Sequence, residues 1–110
     1  MTAGLSEKLP LACDLTSLTD TERLRHRDLI RELSGLTSAV HEIRDGYELE
    51  FSSDASVCLK LAEFITLERL CCPFFIFGIE VEGKGQFRLR LSGPNGVKEF
   101  LRYTRLFTPP

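Results

Sequence analysis

The chain has 110 residues, 43% of them hydrophobic and 27% charged, with a formal net charge of −2. This is one domain's length with enough apolar material for a core of its own, and it excludes disordered, collagen-like and repeat-array classes. The small acidic surplus argues against bulk nucleic-acid binding, and no apolar run approaches the roughly 20 residues of a membrane span.

Residues 1–18 show no periodicity and read as an irregular N-terminal segment. Met1 to Leu15 lacks a continuous apolar stretch, since Glu7 and Lys8 interrupt it, so no signal peptide is read there. The expectation is a cytoplasmic protein whose four cysteines, Cys13, Cys58, Cys71 and Cys72, are reduced.

The first helix is expected to begin near Thr19, where Thr19 and Glu22 form a capping box, and to end at Gly35. Leu24, Ile30 and Leu33 lie near one stripe, with Leu29 beside it. Arg23, Arg25, Arg27 and Arg31 alternate with Asp28 and Glu32 as a solvated face, and His26 among them reads as a surface residue. A hairpin follows. Tyr47, Leu49 and Phe51 alternate with Glu48 and Glu50 as a half-buried strand. A three-residue loop, Arg44-Asp45-Gly46, pairs Ile43 with Tyr47 and places His41 on the inner face, roughly opposite Leu49.

A second helix is expected from about Asp54, capped by Ser53 or Asp54, to Cys71 or Cys72, where Pro73 stops it. The second hairpin turns through Gly83-Lys84-Gly85, which sets Val81 opposite Phe87 and Glu80 opposite Arg88. Its inward residues are Phe77, Ile79 and Val81 on one strand and Phe87, Leu89 and Leu91 on the other. Acidic groups dominate before Gly83 and basic ones after it, and such cross-strand pairs account for part of that asymmetry. Pro94 opens a last helix through about Tyr103. Gly93-Pro94-Asn95-Gly96 lacks the Lys-Ser/Thr of a phosphate loop.

Hairpin then helix occurs at 38–72 and again at 75–103. The expected fold is therefore α+β: two ββα units forming a four-stranded antiparallel sheet with helices on one face, plus an extra N-terminal helix. The single domain covers 19–105, and 106–110 reads as a frayed tail.

The chemistry concentrates in Leu67-Glu68-Arg69-Leu70-Cys71-Cys72-Pro73-Phe74-Phe75. At about 100° per residue, Cys58, Leu61, Ile65 and Cys72 share a stripe, and Glu68 falls inside it one turn before Cys72. An inward carboxylate is costly unless paired, protonated or bound to a cation. Three readings compete. Glu68 and the cysteines can be structural, with buried thiols acting as small hydrophobes. They can hold a soft metal ion such as zinc or copper, with Glu68 and Cys72 as core ligands and Cys71 and His41 as further ones; Cys58 or Cys13 can also complete the set. They can instead serve thiol catalysis or redox sensing, but the helix C-terminus and Glu68 both disfavour a thiolate there. A cation reverses that logic. Cys13 itself reads as incidental. No catalytic residues are assigned. Leu59, Leu67 and Leu70 form a second stripe that, with Phe74 and Phe75, suits a homodimer contact and an interaction module as the alternative function.

The string Glu68-Arg69-Leu70-Cys71-Cys72-Pro73-Phe74, followed by Gly93-Pro94-Asn95-Gly96-Val97-Lys98-Glu99-Phe100-Leu101, resembles a family of small uncharacterised bacterial proteins with an E-R-x-C-C-P-F core and a later G-P-x-G-x-K-x-F-L segment. The resemblance covers roughly 19–103, leaves Cys13 outside, and implies a bacterial, intracellular protein without implying an activity.

Overall fold

A computed structural model of the chain describes residues 13–104, with side chains through Arg102. The irregular segment expected over 1–18 is therefore described only from Cys13, and the tail 106–110 lies outside the described residues. The order is a short 3-10 turn (Leu15–Ser17), α1 (Asp20–Leu36), β1 (Thr37–Ile43), β2 (Gly46–Phe51), α2 (Val57–Cys71), β3 (Ile76–Val81), β4 (Phe87–Ser92) and α3 (Val97–Thr104). The four strands form one antiparallel sheet in the order β1-β2-β4-β3.

Local chemistry explains most boundaries. Thr19 accepts from the Glu22 amide while the Glu22 carboxylate accepts from the Thr19 amide, which satisfies two orphan donors at the start of α1. The helix runs to Leu36, just past the expected stop at Gly35, and passes straight into β1. α2 begins at Val57 rather than Asp54. The Asp54 carboxylate instead accepts from the Ser56 amide and hydroxyl, closing an Asx turn that precedes the helix. α3 begins at Val97 after a turn in which Gly96 has φ 101°, so Pro94 lies in that turn and not in the helix.

The β3–β4 register is the expected one, with Val81 opposite Phe87 and Glu80 opposite Arg88. The β1–β2 register is not. A two-residue turn, Arg44-Asp45, pairs Ile43 with Gly46 and Glu42 with Tyr47. Side chains alternate along a strand, so this shift of one residue turns His41 to the outer face, opposite Glu48. The turn needs glycine after it: a Cβ on Gly46 would meet the backbone of Leu91 on β4.

The apolar side chains of all three helices join the side of the sheet that carries Leu49, Phe51, Leu89 and Leu91. α1 contributes Leu29 and Leu33, α2 contributes Val57, Leu61, Phe64, Leu67 and Cys71, and α3 contributes Val97 and Leu101. Leu24, expected on the stripe of α1, is exposed, and Ile79 and Val81 at the end of edge strand β3 are exposed as well. The opposite side of the sheet is charged. There Arg88 meets Glu50, Glu80 and Glu82, and Arg90 meets Glu48 and Glu80.

α2 packs against α1 as well as the sheet. Arg25 holds Glu63 through two bonds of 2.9 and 2.8 Å, Lys60 faces Glu32, and Phe64 stacks on His26. This second covered side buries Leu67, whereas Cys58 and Ile65 are only half-buried. None of the described helices is long and apolar enough to cross a membrane.

Candidate metal and thiol centre

The last turn of α2 brings the chemistry together. Glu68 is completely buried, at 0% exposure, as its place on the apolar arc predicts. Its Oε1 lies 2.5 Å from Nε2 of His26 on α1. Its Oε2 is buried without a hydrogen-bond partner among the described residues. A buried carboxylate oxygen left unpaired costs on the order of 1–3 kcal/mol, more if charged, so this atom calls for a partner beyond those hydrogen bonds.

Three sulfurs surround that carboxylate. One oxygen of Glu68 and the Sγ atoms of Cys13, Cys71 and Cys72 all lie within 4.8 Å of one another. Cys71 Sγ is 3.8 Å from Glu68 Oε1 and 3.9 Å from Cys72 Sγ. Cys13 and Cys72 are joined in a disulfide whose Cα atoms are 4.7 Å apart. Cys71 and Cys58 are free thiols.

Each member is held by a different device. Pro73 stops α2, so the chain turns away after Cys72, whose amide still donates to the Glu68 carbonyl at 2.7 Å. Cys13 is delivered by the segment before α1. The Asp14 amide donates to the Cys71 carbonyl at 2.8 Å, and the Asp14 carboxylate caps the 3-10 turn through Thr16. Leu18 is buried in the core, and Arg23 donates to the carbonyls of Leu15 and Leu18.

The electrostatics are unfavourable to a bare anion. Burial, then the Glu68 carboxylate, pushes the Cys71 thiol up to about 12. The C-terminal end of α2 adds the negative end of the helix dipole. Cys71 is therefore a thiol and not a ready nucleophile at neutral pH.

Of the residues singled out in the sequence, Glu68, Cys71 and Cys72 come together and His41 does not. His41 is 52% exposed on its side chain and bonds Glu50 across the outer face at 3.1 Å, a consequence of the β1–β2 register. Cys13, read as incidental but also as a residue that could complete the ligand set, is a full member, and its bond to Cys72 corrects the expectation that all four thiols are reduced. His26, read as a surface residue, is only 7% exposed and is the hydrogen-bond partner of Glu68. A signal for it existed: His26, Leu29 and Leu33 follow i, i+3, i+7 spacing, and these are the buried residues of α1. The apolar patch is smaller than expected. Leu59 at 76% and Leu70 are exposed, but Leu67 and Phe75 are buried and Phe74 packs partly on the core.

No protein-family model matches this chain, and neither a curated protein nor a solved structure matches it.

Proposed function

We propose that this protein, in its reduced form, binds a thiophilic cation such as zinc or copper through Cys13, Cys71, Cys72 and Glu68. The observation that carries the reading is the buried Glu68 Oε2, unpaired among the described residues beside three sulfurs. A cation supplies what that oxygen lacks and turns the local excess of negative potential from a cost into an attraction. The dimensions fit. A tetrahedral ion with bonds of about 2.3 Å to sulfur and 2.0–2.2 Å to oxygen sets its sulfurs about 3.8 Å apart and sulfur and oxygen about 3.5 Å apart. The separations of 3.9 Å between the Cys71 and Cys72 sulfurs and 3.8 Å between the Cys71 sulfur and Glu68 Oε1, the oxygen that also meets His26, are close to these values, and the bonded Cys13 and Cys72 sulfurs must part to reach them. His26 completes the arrangement by fixing the orientation of the carboxylate, the usual role of a hydrogen-bond partner behind a ligand.

The hairpin–helix succession reads as a repeated unit, with α1 as the added element that supplies His26 and walls in the end of α2. A site of reduced thiols suits a reducing compartment such as a bacterial cytoplasm.

The test is titration of the reduced protein with cobalt(II), then zinc. One equivalent of cobalt should bind with intense sulfur-to-metal absorption, and zinc should displace it. Glu68→Gln keeps a group that can bond His26 and, because it removes a ligand, should weaken binding by more than the roughly 10–100-fold that loss of a supporting partner costs, without unfolding the protein. Reduced wild-type protein that binds neither ion would end the reading. The second reading, a thiol redox protein, is favoured by the Cys13–Cys72 disulfide. It predicts turnover of disulfide substrates by the Cys13–Cys72 pair, in which the protonated Cys71 thiol takes no part.

A further inference from the structure

We infer that the Cys13–Cys72 disulfide is the cation-free, oxidised state of the same four-residue cluster, so that oxidation of one thiol pair ejects the bound cation and reduction restores the site. This regulation rests on the cation-binding reading.

The ligand inventory requires two states. A sulfur in a disulfide is no longer a thiolate ligand, so the oxidised cluster retains only Cys71 and Glu68. Two ligands do not close a tetrahedral site. Cys72 does not pair with Cys71, because a trans peptide holds their Cα atoms only about 3.8 Å apart, below the usual disulfide range of about 4.4–6.8 Å. The partner that oxidation selects is therefore Cys13.

Reduction does not scatter the ligands. The segment carrying Cys13 is tied down by contacts independent of sulfur: the Asp14 amide on the Cys71 carbonyl, the buried Leu18 and the Arg23 guanidinium on two carbonyls. With the bond open, Cys13 stays beside Cys71 and Cys72, and three thiols and one carboxylate face one another. The reduced site is pre-organised, so switching requires only that two sulfurs separate from bonding to ligand distance.

The step balances with a small-molecule disulfide as oxidant. The sulfurs of Cys13 and Cys72 together lose two electrons and form one S–S bond. The oxidant's S–S bond breaks, takes up those electrons and two protons, and leaves as two thiols. The cation departs to water with its charge unchanged. A dithiol reductant drives the reverse. By linkage, the bound cation must protect Cys13 and Cys72 from oxidation to the same degree that oxidation weakens binding.

The experiment uses the full chain in a Cys58→Ser background, so that only cluster thiols react. Zinc affinity is measured for the reduced and the oxidised protein, and oxidised glutathione is then added to the zinc-loaded form with a chromophoric chelator present. The expected result on oxidation is a loss of affinity beyond the roughly 10–100-fold that removing a supporting partner costs, because two of four ligands are withdrawn. One zinc should be released per disulfide formed, and peptide mapping should place the bond between Cys13 and Cys72. Oxidised protein that binds zinc as tightly as reduced protein overturns the gate and leaves the cation site standing. A bond mapped to any other pair, or zinc retained after the Cys13–Cys72 bond forms, also overturns it. Reduced protein that binds no zinc overturns both.

Discussion

The outer face of the sheet and the end of α2 both carry ionisable side chains, and they treat them in opposite ways. On the sheet, Glu48, Glu50, Glu80 and Glu82 stand among Arg88 and Arg90, and each carboxylate has a basic neighbour and access to water. At the end of α2, Glu68 is closed off from solvent, with one imidazole against one oxygen and no hydrogen-bond partner among the described residues for the other. Exposed charge needs no special partner because water screens it, and such pairs contribute about 0–1 kcal/mol each. Buried charge has no such recourse, so each of its atoms points to whatever satisfies it. The difference explains why only one of these charged regions reads as a site.

The largest effect expected from breaking this contrast is covalent. Cys13→Ser opens a bridge spanning a sequence separation of 59. The chain-entropy account assigns such a loop about 4 kcal/mol, so the oxidised protein should lose about that much stability in urea while the fully reduced protein loses little. Next is the Cys71 thiol, raised from 9.0 to about 12 by burial and then by Glu68. At pH 8 its alkylation should be slower than in the unfolded chain by roughly 1,000-fold from thiolate content alone. The folded state holds that proton more tightly, so its contribution to stability is complete below pH 9 and fades as the pH rises towards 12. Wild-type protein should lose stability over that range faster than Cys71→Ser. Glu68→Ala should cost about 3 kcal/mol, because it leaves His26 buried without its partner. A double variant, His26→Leu with Glu68→Leu, should recover much of that loss, and a cycle showing no coupling would refute the pair's importance. Smallest is the sheet: Arg90→Ala, measured in the same denaturant series, should change stability by less than about 1 kcal/mol.

How legible each region was in the sequence follows from the same physics. The second hairpin could be registered in advance because its alternation and opposed charges agree. Glu68 could be placed inside because it falls on the arc of Leu61, Phe64 and Cys72, although α2, covered on two sides, has only a weak apolar periodicity. His41 could not, because hairpin parity depends on a turn that differs by a single residue between two plausible forms. His26 was hidden by its arginine neighbours, which supply the solvated face of α1, although the spacing to Leu29 and Leu33 pointed inward. Cys13 could be offered only as one of several residues to complete the set, because nothing local in an aperiodic segment specifies contact with a residue so distant in sequence.

The bridge also divides the molecule topologically. It closes a covalent ring through α1, both strands of the first hairpin and α2, and leaves β3, β4 and α3 as an open arm. Yet the seam between ring and arm is the β2–β4 ladder in the middle of the sheet. Stretched from its ends, the oxidised protein can lengthen only through the arm, by uncoiling α3 and drawing β4 out from between β2 and β3, while the ring stays shut. The cross-link therefore confines mechanical extension to the C-terminal third of the chain and shields the first hairpin and α2 from it.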